Sequence, residues 1–253
     1  MLLENRVAIV TGGARGLGQS YCLGLHREGA KVVVADIIDT TETVTKIKQA
    51  GGEALGIKLD VRSAESTQQM AAKTVEAFGK IDILINNAAL YGDLKMQAFH
   101  EISEEEWDRL MSINVKGVWQ CTKAVAPHMM QQQYGKIINI SSGTILMGVP
   151  GLLHYVTSKG AVWAMSRVLS RELGGFGIRV NCITPGFTMS QASRDIMKVS
   201  GAEGMEKQIA AQAALGREEE PEDLVGAVLF LSSELSDFIT GQTINVDGGV
   251  VHW

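Results

Sequence analysis

A chain of 253 residues is long enough for an α/β fold to close one large core, and 45% hydrophobic, 20% charged and 6% aromatic residues describe an ordinary globular composition. The net charge of -5 gives no basic field for a phosphate backbone or an anionic membrane, so nucleic acid and membrane are excluded as partners and a small-molecule substrate is expected. Apolar runs break well before the roughly 18 residues of a membrane span, Met1 leads almost at once into the run 7–10 with no export signal, and a cytoplasmic location is expected.

In chain order, short apolar runs alternate with helical patterns. The runs 7–10, 31–35, 54–59, 81–85, 136–140, 178–183 and 243–246 read as strands, several nearly continuous in Val and Ile, as strands covered on both faces must be. About seven strands with helices between them predict a doubly wound parallel sheet of the Rossmann type, helices on both faces, in one domain over 1–253. Ser103 with Glu106 forms a capping-box pattern ahead of Trp107, and Pro221 stands at a helix's first position before Leu224 and Val225. The stretch 187–215, rich in Met, Ala, Ser and Gln, reads as a mobile helical flap over a site. Cys22, Cys121 and Cys182 have no Cys or His at ligand spacing, so they read as small buried hydrophobes in a reducing compartment, and no metal is expected.

The first strand runs into Thr11-Gly12-Gly13-Ala14-Arg15-Gly16-Leu17-Gly18, with a helix beginning near Gln19. Gly12 permits the tight turn, Gly16 lets backbone approach a pyrophosphate, and Gly18 lets the helix pack on the sheet, so the helix N-terminus faces phosphates. A glycine-rich turn alone also closes ordinary strand-helix loops; its place after strand one is what points to a dinucleotide. Asp36 ends the second strand, where a carboxylate accepts hydrogen bonds from ribose hydroxyls and repels a 2′-phosphate; with apolar Ile37 behind it, NAD is expected as cofactor. Arg15 could instead pair with such a phosphate, and Asp36 could serve as a helix cap, although Asp39, Thr40 and Thr41 already offer caps.

Tyr155 and Lys159 stand four residues apart at the start of a helical pattern continued by Val162, Met165, Leu169 and Leu173, so both lie on one face. An ammonium beside a tyrosine stabilises its phenolate, and a tyrosine with a lowered pKa suits proton transfer to and from an alcohol. Ser141 and Ser142 end the fifth strand, at the carboxyl edge where open α/β sheets bind ligands.

Thr11-Gly12-x-x-x-Gly16-x-Gly18, Asp60-Val61, Asn86-Asn87-Ala88-Ala89, Asn114, Ser142 thirteen residues before Tyr155, Lys159, Pro185-Gly186 and the closing Val246-Asp247-Gly248-Gly249 together resemble the short-chain dehydrogenase/reductases over the whole chain. The resemblance implies that Tyr155 is the acid/base, Ser142 orients the substrate oxygen, Lys159 lowers the tyrosine pKa and holds the nicotinamide ribose, and Asn114 anchors a water that relays protons. It further implies that Gly12, Arg15, Gly16, Leu17, Gly18, Asp36 and Ile37 meet the adenosine and phosphates, that Asp60 and Val61 contact the adenine, and that Asn87, Ala88 and Ala89 line the cofactor channel. Pro185, Gly186, Thr188 and Ser190 would meet the nicotinamide end. The family closes its Asn-Asn-Ala motif with Gly, and Ala89 departs from that.

Loops after strands four to six build the substrate pocket in such a fold, and Tyr91, Leu94, Thr144, Leu146, Met147, Leu152, Phe187 and Met189 are its expected lining. That largely apolar set suits a bulky or aromatic ketone or secondary alcohol, with Lys95, Arg194 and Lys198 able to reach the mouth. The chain is thus expected to be an NAD-dependent alcohol dehydrogenase/ketone reductase acting as a homotetramer, with apolar segments at 115–125 and 162–173. It somewhat resembles bacterial 1-arylethanol dehydrogenases through His154 and Phe238-Ile239-Thr240-Gly241. The alternatives are a 3-oxoacyl-(acyl carrier protein) reductase, against which Gln131, Gln132 and Gln133 stand where basic residues would meet the carrier and only Arg171 remains, and a non-catalytic NAD-binding protein.

Overall fold

The computed structural model describes residues 1–202 and 204–252; Glu203, inside the expected flap, and Trp253 lie outside the described residues. Seven strands form one parallel sheet: β1 (Val7–Thr11), β2 (Lys31–Asp36), β3 (Ala54–Lys58), β4 (Ile83–Asn86), β5 (Gly135–Ile140), β6 (Ile178–Pro185) and β7 (Thr243–Val246). They lie in the order β3-β2-β1-β4-β5-β6-β7, so the direction of winding reverses between β1 and β4. That switch point opens a crevice at the carboxyl edge of the sheet.

Period-two alternation sorts the strand side chains into two cores. Ala8, Val10, Val32, Val34, Ile83, Ile85, Ile138 and Ile140 face one side, where they pack with Tyr21, Cys22 and Leu25 of α1 (Gly16–Arg27), Ile47 of α2 (Thr41–Gln49) and a late helix. Ile9, Val33, Ala35, Leu84 and Ile137 face the other side, against Met70 and Ala71 of α3 (Ala64–Phe78) and further helices. Both faces are therefore buried, which is why the strands read as nearly unbroken Val and Ile runs.

Ser103 accepts from Glu106 N at 3.1 Å and starts α4 (Glu104–Met111), but the expected box is only half made. The Glu106 carboxylate turns away from the cap, accepting from Gln97 Nε2 at 2.8 Å and pairing with His154 Nε2 at 2.9 Å. A wide π-turn (Ser112–Lys116) leads into α5 (Gly117–Gln132), where Gln132 fixes the edge of the sheet through both Ile81 backbone groups. The short α6 (Thr144–Met147) and the long α7 (Leu153–Leu173) follow β5; α8 (Gln191–Ser200) and α9 (Met205–Gln212) follow β6. Pro221 opens a 3-10 turn (Pro221–Leu224) that runs into α10 (Val225–Ser232), the late helix of the first core. No helix among the described residues is long and apolar enough to cross a membrane.

Candidate active site

A cleft of about 860 Å3 follows the carboxyl edge of the sheet from the glycine loop, past the ends of β4 and β5, to α8 and α9. At one end Gly12 turns with φ +67°, and a Cβ there would meet Asn87 Nδ2 at 2.9 Å. A Cβ at Gly18 would fall 2.0 Å from Gly12 O, so only glycine lets α1 begin this close to the loop. The space around Gly16 is open within 4 Å of where a Cβ would be. The first turn of α1 holds no acidic residue and no side-chain cap, which leaves its N–H groups and the positive end of the helix dipole facing that space. An anionic pyrophosphate fits such a cradle. The helix starts at Gly16, three residues earlier than the sequence pattern placed it.

Asp36 and Asp60 line the same end. Asp36 accepts from Ala14 N at 3.0 Å and Ile38 N at 3.2 Å, which fixes its carboxylate beside the loop. It caps no helix; Asp39 meets Thr41 N at 3.1 Å instead. Asp60 holds Arg62 through two short bonds, 3.0 Å to Nε and 2.7 Å to Nη2, and this pairing keeps its carboxyl below the usual range. Ile37 and Ile38 form an exposed apolar lip, and Arg15 stands exposed at the cleft wall.

Past β4, Thr11 Oγ1 accepts from Asn87 N and Ala88 N at 3.0 Å each, and Asn87 Nδ2 donates to Thr11 O at 2.9 Å, so the channel wall is tied to β1. Ala89 does not adopt a left-handed conformation, so alanine stands there without backbone strain.

Ser142, Tyr155 and Lys159 meet in the middle of the cleft. Ser142 Oγ accepts from Thr144 N at 3.2 Å and Thr144 Oγ1 at 3.0 Å. With both lone pairs engaged, its own O–H is left to donate elsewhere. Lys159 is 4% exposed and donates to Ile140 O at 2.9 Å; burial pulls its ammonium down to about 8. The lysine lies 5.7 Å from the Tyr155 ring centroid, and the Tyr91 ring packs against Tyr155 at 5.0 Å between centroids. The expected downward pull on Tyr155 is not the dominant effect. Burial pushes the phenol above its ordinary value, Tyr91 adds to that, and Ser142 draws it back only in part.

Asn114, 1% exposed, sits on the π-turn behind these three. Its Oδ1 accepts from Leu90 N at 2.7 Å, and its Nδ2 donates to Ser158 Oγ at 3.1 Å and Leu90 O at 3.3 Å. The side chain thus clamps the loop after β4 to α7 and does not itself line the cleft.

Of the expected substrate lining, Tyr91, Thr144, Met147, Leu152 and Phe187 face the cleft, and Leu94, Leu146 and Met189 do not. Leu94 is buried in a cluster with Leu110, Leu152, Tyr155 and Ile196, which supports the wall from behind. On α6 the helical spacing turns Thr144 and Met147 to the cleft and leaves Leu146 between them off it. Beyond β6 the chain bends at Phe187 and turns at Met189, where Ser190 N donates to Thr188 O at 2.8 Å; Phe187, Thr188 and Ser190 line the cleft and Met189 does not, its N–H donating to Glu219 O at 2.7 Å. Lys95, Arg194 and Lys198 also lie off the lining; Arg109 of α4 is the cation at the substrate end, 3.9 Å from Asp93. Sequence reasoning missed Met96 in the loop after β4, and it missed Arg109, Ile196, Met197 and Gln208 because α4 and the flap helices reach the site only through tertiary packing. His154 is buried on α7 with Glu106 and so does not enter the cleft.

The family model described as enoyl-(acyl carrier protein) reductase matches residues 12–251. The chain is 36% identical over 249 residues to the 3-oxoacyl-(acyl carrier protein) reductase of Staphylococcus epidermidis, covering 97% of this chain and 99% of that protein. It is also 36% identical over 251 residues, 98% of both, to the (2S)-[(R)-hydroxy(phenyl)methyl]succinyl-CoA dehydrogenase subunit BbsD of Thauera aromatica. A solved structure titled a putative gluconate dehydrogenase from Agrobacterium tumefaciens superposes with a TM-score of 0.91 at 29% identity, over 98% of this chain and 96% of that one. The chain belongs to the short-chain dehydrogenase/reductase family. It is an oxidoreductase whose Rossmann-type sheet binds a nicotinamide cofactor.

Proposed function

We propose that this protein is an NAD-dependent oxidoreductase that interconverts a largely apolar secondary alcohol and its ketone, with Tyr155 as the acid/base. The observation that carries the reading is a single cleft with a fixed carboxylate, Asp36, at the glycine-loop end, and Ser142, Tyr155 and Lys159 beneath a mainly apolar wall at the other. The cofactor, when bound, supplies the hydride acceptor for the alcohol or the hydride donor for the ketone. Residues 12–18 would hold its pyrophosphate, Asp36, Ile37, Asp60 and Val61 its adenosine, and residues 185–190 its nicotinamide end.

Ser142 donates its free O–H to the substrate oxygen and so orients the carbon that reacts. Tyr155, kept protonated by burial, gives its phenolic proton to that oxygen in the reducing direction and takes it back in the oxidising one. Lys159, held by Ile140 O, places its charge beside the ring, where it eases formation of phenolate, and its remaining N–H groups serve the nicotinamide ribose. Asn114 holds Leu90 and Ser158 so that a water behind Lys159 can return the proton to solvent. The flap 187–215 closes over the substrate with Ile196, Met197 and Ile209. Exposed Trp119 on α5 and Val168 on α7 are the apolar surface through which copies pair into a homotetramer in the cytoplasm.

A second reading, a 3-oxoacyl-(acyl carrier protein) reductase, is favoured by the named relative and by Arg109 at the cleft rim, a cation available to an acidic carrier. Turnover of neutral aryl and alkyl ketones against a 3-oxoacyl thioester, followed by absorbance of the reduced cofactor, separates the two.

A further inference from the structure

The run Glu218-Glu219-Glu220 has the look of a solvated surface, yet its middle residue turns inward. Glu219 forms a parallel bridge with Thr188 and accepts from Met189 N, so its backbone is an extension of the sheet beside the loop that leaves β6. This carries the carboxyl beneath that loop: a Cβ at Gly186 would lie 2.5 Å from Glu219 Oε2 and 2.8 Å from Asp247 Cβ. Both carboxyl oxygens are buried without an aligned hydrogen-bond partner, as are Thr188 Oγ1 and the Tyr21 hydroxyl.

The anionic neighbours disfavour a charge there, Asp247 from the segment after β7 and Asp223 from the 3-10 turn, while the Gly186 N–H and the Thr188 hydroxyl pull partly the other way and Tyr21 on α1 stands by as a neutral phenol. Arg217, the nearby cation, is engaged by both oxygens of Asp223, at 2.6 and 2.7 Å. Gly186 N–H already donates to Val246 O, so it compensates little. Burial first, then Asp223 and Asp247, push Glu219 up to about 8. This balance favours the neutral acid at neutral pH, beside the Thr188 hydroxyl.

We propose that Glu219 is a positioning residue for the nicotinamide end of the cofactor site: as the neutral acid it braces residues 186–188 from below, and as the carboxylate it releases them. The inference rests on the reading that this loop holds the nicotinamide end. Gly186 and Thr188 line the cleft on one side of the loop, and Glu219 stands on the other. Ionisation would set three carboxylates, Glu219, Asp223 and Asp247, against one guanidinium already engaged by Asp223, with the Glu219 oxygens buried directly beneath the loop.

The test is NADH binding to the otherwise ligand-free protein, read by fluorescence between about pH 6.5 and 9.5, for the wild type, E219Q and T188A. Affinity of the wild type is expected to weaken by about fivefold as pH rises from 7 to 9.5, and E219Q, which mimics the neutral acid, to lose most of that dependence. Lys159 also titrates near 8 and faces the cofactor, but it is present in all three proteins, so the difference between wild type and E219Q isolates Glu219. A carboxyl raised in the folded state loses stability as pH rises from its unfolded value toward its folded one. The melting temperature of E219Q without cofactor should therefore exceed that of the wild type by a margin that grows from about pH 5 to 8. An E219Q profile that follows the wild type in NADH affinity overturns the proposal. T188A binding NADH as tightly as the wild type, while the melting margin persists, overturns the placement of the nicotinamide end at this loop and the proposal with it.

Discussion

Asp36→Asn changes the charge at the adenosine end while leaving most of its geometry. The amide oxygen can still accept from Ala14 N, now at 3.0 Å, so the glycine loop keeps its anchor. For NAD the substitution weakens a charge-assisted bond to the ribose, about 1.5 kcal/mol or roughly tenfold in kcat/KM. For NADP it removes repulsion between the carboxylate and a 2′-phosphate. Two charges about 4 Å apart interact by about 1 kcal/mol in water and about 4 at a partly buried site, and Asp36 is half-buried, so about 2 kcal/mol, or roughly thirtyfold, is the working figure. The wild type should prefer NAD by at least about tenfold, and the ratio should swing by roughly 300-fold in the variant. Initial rates with each cofactor at one fixed ketone or alcohol measure it, and the NADP gain should shrink with added salt. A wild type that uses both cofactors equally, or a swing below about threefold, would refute the reasoning and give adenosine recognition to Arg15.

Tyr155→Phe keeps the ring and removes the proton carrier, so turnover should fall by about 10²–10⁴-fold while NAD affinity stays within a few-fold; substantial turnover at neutral pH would point to another acid/base. With Tyr155 raised by burial and Lys159 near 8, ketone reduction at saturating cofactor should decline as pH rises through about 8, and alcohol oxidation should climb from neutral pH only until Lys159 loses the charge that eases phenolate formation, near 8; a reduction rate that rises through 8 would contradict the assigned roles. Light scattering at micromolar concentration should give a tetramer, and Val168→Glu on the exposed face of α7 should dissociate it; a monomeric wild type would end that expectation.

The strands were legible because burial on both faces of the central strands leaves most of their positions apolar, and the glycine loop because its three glycines each meet a different steric demand. What the sequence hid depends on tertiary contact. The half-made cap at Ser103 looked complete, since nothing local says that Glu106 will prefer Gln97 and His154. Knowing which loops line a ligand cleft does not say which side of each loop faces it, and so Leu94, Leu146 and Met189 were misplaced. The Tyr-x-x-x-Lys spacing put both side chains on one face, but the balance between burial and charge at Tyr155 required the packing of Tyr91. Glu219 was invisible for the same reason: only the bridge to Thr188 turns it inward.

The substrate reading stands or falls on rates across a series of neutral ketones of growing apolar size, set beside the same carbon skeletons bearing a carboxylate and beside a 3-oxoacyl thioester on its carrier. With a wall formed by Met96, Met147, Leu152, Phe187 and Ile196, and with Arg109 the one cation at the rim of that end among the described residues, kcat/KM should rise with apolar size and fall when the carboxylate is placed near the carbonyl, deep beneath the apolar wall. A carrier thioester or β-keto acid turned over far faster than every neutral ketone would contradict the apolar-alcohol reading and establish the carrier-protein reductase in its place.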